Sequence, residues 1–176
     1  MELSRWLMEN VGRIASRWHA EIEDRVDHEK GETDSLLRGF LHDLVVFLAH
    51  CMGPRRAMAE ETWEQATYLY GSFGLQRGLA AGEVVEELVL LRDAVLRFLY
   101  LPGGGSDPGE IPTLSGRDLL LLNRTLDEGM VRASIAYVDD LFFAHLQGSG
   151  VPEGVTPDVR EEIEQQLVAL RKEVGG

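Results

Sequence analysis

Apolar residues recur along most of this chain at three- and four-residue steps, the period of one helix face. The first such stretch covers residues 3–28. Leu3, Leu7, Val11, Ile14, Trp18, Ile22 and either Arg25 or Val26 fall on one side. HEKGET interrupts the period at Gly31. A second helix is predicted over 35–52, capped by Thr33 or Asp34, with Leu37, Leu41, Leu44, Val45 and Leu48 as its stripe. Phe40 and Phe47 widen that stripe and predict a central place in a bundle.

Gly53-Pro54 ends that helix, and a third runs over 56–77 with Met58, Trp63, Ala66, Tyr70 and Phe73. Gly78 closes it. The fourth begins at Ala81 or Gly82 with Val84, Val85, Leu88, Leu91, Val95 and Leu99 on its stripe. Glu83, Glu86 and Glu87 sit in its first turns, where acid suits the helix dipole. Residues 102–114 are a loop by composition. Their triple glycine, Gly103–Gly105, has neither a flanking strand nor a following Lys-Ser/Thr, so it is not read as a phosphate loop.

Ser115, with Asp118 three residues on, predicts the start of a long fifth helix to residue 147. Its stripe is Leu119, Leu122, Leu126, Met130, Ala133, Tyr137 and Leu141, with Phe142 and Phe143 at its end. Residues 148–156 read as a linker. Thr156-Pro157 then opens a C-terminal amphipathic helix over 157–174. Its Val159, Ile163, Leu167, Leu170 and Val174 alternate steps of four and three, the spacing of a coiled-coil seam. Pairing with a second copy is the preferred use of that seam; packing back onto its own bundle is the rival. The predicted fold is all-α: a four-helix-bundle-like domain over 1–147 with accessory helices and a C-terminal helix.

Composition narrows the function. The chain has 176 residues, 44% of them apolar, enough for one domain with a real core. A formal net charge of -13 disfavours nucleic acid and anionic membrane surfaces, which select positive footprints. Cys51 is alone in an apolar run and reads as a buried thiol in a reducing, cytoplasmic setting.

Catalytic chemistry finds little support. Ser16, Arg25, Gly39, Phe47 and Phe142 stand three before the five histidines, so the Glu-x-x-His pairs of carboxylate-bridged metal sites do not occur. No metal or other cofactor is assigned. His42 and His50 share one side of a helix and read as residues at the core's edge, as do His19 and His145. HEKG around His28 lacks the spacing expected for a phosphoacceptor histidine. Asp127, Glu128, Asp139 and Asp140 read as a solvated acidic face.

The stretch 66–101 offers the candidate site. Gly71 and Gly74 lie three apart, which predicts a close helix crossing or, in the sharper reading, a ligand against bare backbone. Trp63, Tyr70, Gly71, Gly74, Arg77 and Arg92 form the candidate pocket or interface, with Tyr68 and Asp93 nearby.

Three segments carry a resemblance: LLRGFLHDLVVFLAHCM at 36–52, YGSFGLQRGLAAGEVVEELVLLRDAVLRFL at 70–99 and LNRTLDEGMVRASIAYV at 122–138. Together they resemble the RsbRD-type N-terminal domain of RsbT co-antagonists, found also in bacterial sensor histidine kinases. Arg77, Gly78, Glu83, Val84, Val85, Glu87, Leu91 and Arg92 occupy its Arg-Gly turn and acidic, valine-rich helix. Leu122, Leu126, Asp127, Ala133 and Tyr137 match the later pattern. The resemblance implies a non-catalytic input or regulatory domain in bacterial signalling and stress response, forming a homodimer and attached to an output module. Residues 148–176 are too short for a kinase, PAS or STAS module, so a fragment or a free-standing relative is expected. A signalling protein partner is expected, with transmission through helix packing or dimerisation. The alternative reading is a helical small-molecule, haem or metal-binding sensor.

Overall fold

The computed structural model describes residues 2–25, 32–101 and 112–175, so Val26, His28 and the triple glycine lie outside the described residues. Six helices carry the fold, and no strand occurs among the described residues: α1 Leu3–Glu23, α2 Glu32–Cys51, α3 Arg56–Gln76, α4 Ala81–Tyr100, α5 Gly116–Leu146 and α6 Pro157–Gly175. The expected all-α bundle is what forms. Helices α1, α2, α3, α5 and α4 pack in that order around a ring that closes from α4 back to α1, and α6 lies across α2 and α3.

Local signals explain the boundaries. Ser115 caps α5: its Oγ accepts from Asp118 N at 3.2 Å while the Asp118 carboxylate accepts from Ser115 N at 2.9 Å. Thr156 Oγ1 likewise accepts from Val159 N at 3.3 Å at the head of α6. α2 starts at Glu32, ahead of both proposed caps, so Thr33 and Asp34 lie in its first turn. Asp34 instead bonds to His19 of α1 and Arg38 one turn on, a tertiary role that single-helix capping rules do not anticipate. Gly78 closes α3 at φ +79, a left-handed turn that an L side chain resists. Leu79 N then donates to Gly74 O across it at 3.1 Å.

α2 is the central rod, as its wide apolar arc predicts: Phe40, Leu41, Leu44, Val45, Phe47 and Leu48 are all fully buried. The α3–α5 crossing is the tightest. A Cβ on Gly71 would run into the Ala133 backbone of α5, 2.7 Å from its carbonyl carbon. One on Gly129 of α5 would meet Trp63 of α3 at 2.8 Å. A Cβ on Gly74 would strike a methyl of Val84 on α4. The two α3 glycines therefore serve crossings with two different helices, and the close-crossing reading holds for both.

Candidate functional site

The bundle interior beside the α3–α4 turn holds a charge cluster. Arg77, at the end of α3, donates from both terminal nitrogens to the two Glu87 oxygens of α4, each at 2.8 Å. Tyr70 OH donates to Glu87 Oε2 at 2.5 Å, and Trp18 Nε1 of α1 donates to the Glu87 backbone oxygen at 2.6 Å. The Arg77 and Glu87 side chains are each only 6% exposed. Arg77 lies over the Phe73 ring at 5.3 Å, and Phe40 stacks on Phe73 and meets Tyr70 edge-on. Both carboxylate oxygens are engaged, which a buried charge requires.

The electrostatics follow from burial. Burial, and then the Glu87 carboxylate, push the Tyr70 phenol well above its ordinary value, so it stays a neutral donor. Burial works against the Arg77 cation most strongly of any one cause, but the Glu87 hydrogen bonds together with the electrostatic pull of Tyr70 and Glu87 outweigh it and hold its pKa above the usual arginine value. Such a bidentate pair ties α3 to α4, and the Trp18 bond to the Glu87 backbone adds α1. Its atoms point at one another and leave no oxygen of Glu87 open toward a substrate. By helix position alone Glu87 reads as an acid that suits the helix dipole. Its real signal was position: three after Val84 and four before Leu91, it sits inside the apolar stripe.

The other expected pocket residues separate. Trp63 is buried and donates to Thr125 O of α5 at 2.8 Å. Gly71 and Gly74 are filled by Ala133 and Val84. Arg92 pairs with Asp127 of α5, not with the exposed Asp93, and its Nε finds no partner among the described residues. The six residues thus form packing contacts and two ion pairs instead of one pocket. A groove lies elsewhere, a cavity of about 560 Å³ between α3, α5 and α6. Its floor includes Leu69, Phe73 and Ile163, and Glu64, Tyr68, Arg132 and Asp140 reach its rim. Burial, and then Asp139 and Asp140, raise the Tyr68 phenol.

The α6 seam is occupied within the chain. Ile163, Leu167 and Leu170 are buried against the bundle, with Val159 and Val174 half-buried beside them. Arg171 fastens the helix by two nitrogens to Asp43 of α2, at 2.6 to 3.0 Å, and Thr62 donates to Glu173 at 3.1 Å. While α6 is docked, its five-residue seam has no free face for a second copy. The physical reason is the unfilled apolar surface of α2 and α3, which the same 4-3 spacing fits equally well.

α5 reverses this. Leu122, Leu126, Gly129, Ala133 and Tyr137 face inward, and Tyr137 OH donates to Leu79 O at 2.7 Å. On the opposite side, Val131 (58% exposed), Ile135 (41%), Val138 (58%), Phe142 (58%) and Leu146 (64%) stand in water. Leu141 and Phe143 flank them, and the Phe142 and Phe143 rings meet edge to face at 6.2 Å. Sequence reasoning found the inner stripe and missed the outer one, although its steps of four, three, four and four are visible in the chain.

One cluster has metal-ligating chemistry. His19, Glu23 and Asp34 bring one ligand atom each within 4.8 Å of one another. His19, predicted as a core-edge residue, is 2% exposed, and its Nε2 meets Asp34 Oδ1 at 2.6 Å while Nδ1 faces Glu23 at 3.4 Å. Arg38 reaches both carboxylates, at 2.9 and 3.5 Å. The imidazole thus uses opposite edges and the carboxylates already hold a cation, so the donor set fits a chain of ion pairs better than a convergent metal site. Burial opposes the Asp34 charge, but the Arg38 and His19 bonds outweigh it and lower its pKa. Burial, and then Glu60, push the Cys51 thiol up to about 12, which fits the buried thiol expected. No helix of the described residues is long and apolar enough to cross a membrane. Comparisons with protein-family models, curated proteins and solved structures give no match to this chain.

Proposed function

We propose that this chain is a non-catalytic input or regulatory domain of bacterial signalling, working through protein interaction. The observation that carries the reading is the outer face of α5. Seven apolar side chains there leave roughly 600 Å² in water, at the top of the range for the largest patch on a monomer. Such a patch rimmed by polar groups marks an interaction surface. The buried charge cluster supports the same reading from the other side, because its charges are committed to holding helices. The resemblance of residues 36–52, 70–99 and 122–138 to sensor-type bundles points the same way.

Photo-crosslinking from a reactive amino acid at Val138, in the cells that make the protein, tests the proposal. Crosslinks to a defined protein, either a signalling component or the chain itself, are expected. Crosslinks to nothing would overturn it. The groove between α3, α5 and α6 favours a second reading, a small-molecule sensor. A stoichiometric ligand in native mass spectrometry, lost when Ser72 is replaced by Trp on the groove wall, would put that reading first.

A further inference from the structure

Resting on the interaction reading above, we infer that the occupant of the outer α5 face is α5 of a second copy, packed antiparallel. The stripe has the spacing of a helix partner: Val131, Ile135, Val138 and Phe142 alternate steps of four, three and four, so a straight apolar ridge runs along the rod. The four residues of that ridge expose roughly 400 Å² per copy, about half of the roughly 800 Å² per partner of a standard stable interface, and the stems of the flanking polar side chains add to it. A two-fold interface must be self-complementary, and this one is. Centring an antiparallel pair between Ala136 and Tyr137 sets Val131 against the partner's Phe142 and Ile135 against the partner's Val138. Each layer is then apolar, with small opposite large at the outer two.

The flanking charges select the direction. Arg132 and Asp139 are seven residues apart, so they border the same side of the stripe. In the antiparallel pair that side meets itself, bringing Arg132 toward the partner's Asp139 and Asp139 toward the partner's Arg132. Arg132 is nearly half exposed, and one terminal nitrogen is held by Glu64 of its own chain. Among the described residues Asp139 accepts only a long bond from Tyr68 OH, at 3.4 Å. Neither group is so buried that it is withheld from a partner. Two copies each of charge -13 repel at long range, and the seam meets this with an uncharged centre and two opposite-sign pairs along one flank.

Sedimentation of the full chain from about 1 to 200 μM tests the inference over the affinity range of transient and stable dimers. A concentration-dependent monomer–dimer equilibrium is expected. Val138→Asp, at the seam's centre, should weaken dimerisation by at least about tenfold while leaving the circular dichroism unchanged. Asp139→Arg should weaken it less, and Arg132→Asp with Asp139→Arg should restore it, because the swap recreates both cross-pairs. A monomer at every concentration overturns the inference, as does a dimer that Val138→Asp leaves intact. A double swap without restoration overturns the antiparallel direction. If the wild-type chain is monomeric but Val138 crosslinks to another protein, the homodimer fails and the interaction reading stands; if it does neither, both fail.

Discussion

α5 and α6 carry the same kind of apolar message and meet opposite fates. Each has an apolar face repeating at three- and four-residue steps. On α6 that face is covered by α2 and α3, with Ile163, Leu167 and Leu170 buried. On α5 one face is covered, and a second, Val131 to Leu146, is left in water. Periodicity reports that a helix has an apolar face; it does not report what covers it. The choice depends on which other surfaces remain unfilled, and that is a property of the assembled bundle.

The largest expected effect comes from breaking the covered face of α6. Leu167→Asp puts a carboxylate without a partner against α2 and α3, which costs about 3–5 kcal/mol or releases α6 altogether. Urea unfolding reports the loss, and protease cleavage within residues 148–156 reports the release. An unchanged denaturation midpoint would show that α6 docks only weakly and would revive its seam as a dimer surface.

Next in size is the buried cluster that holds α1, α3 and α4. Tyr70→Phe leaves the Glu87 carboxylate one donor short, at a cost of about 1.5–3 kcal/mol near neutral pH. The pH dependence sharpens this. The folded pKa of Tyr70 is raised above 10.0, so the stability it contributes is complete below the unfolded value and is lost as pH rises toward the folded one. The wild-type denaturation midpoint should therefore fall above about pH 10, and the Tyr70→Phe midpoint should fall less steeply there. Parallel pH profiles for the two proteins would remove Tyr70 from the alkaline response. Gly71→Ala, at the covered face of α5, should cost about 1–3 kcal/mol, because the new methyl meets the Ala133 backbone and not a side chain that can turn aside. A thermal melt measures it.

These cases show what was legible in the chain. The helices could be read because their stripes, the Ser115–Asp118 and Thr156 caps and the Gly78 stop are local signals, and all appear as structure. The candidate site was legible only in fragments. Arg77 and Tyr70 stood out as residue types, but their partner Glu87 is ten and seventeen residues away, on another helix. His19 joins Asp34 across a break in the helical period. Partners on different helices are set by tertiary packing, which no single-helix pattern encodes. The outer α5 stripe was missed for a different reason. The inner stripe already explained α5 as a bundle helix, so a second set of apolar residues looked like a widening of the first.

The smallest expected effect on stability decides the comparison most directly. Val138 is 58% exposed, and replacing it by Asp removes little covered contact. The Asp is also solvated, so it escapes the desolvation cost met by Leu167→Asp. The monomer's unfolding free energy should change by no more than about 0.5 kcal/mol. Measured by urea at a protein concentration too low for association, this separates the two helices: the same substitution on two apolar stripes is severe on α6 and nearly silent on α5. A large loss at Val138 would mean that the outer face is covered within the chain, and the difference between α5 and α6 would disappear. A silent result in the dilute monomer, together with a loss of stability relative to wild type that grows with concentration, would place the cover on a second molecule. Stability linked to association rises with protomer concentration, whereas packing inside one chain does not.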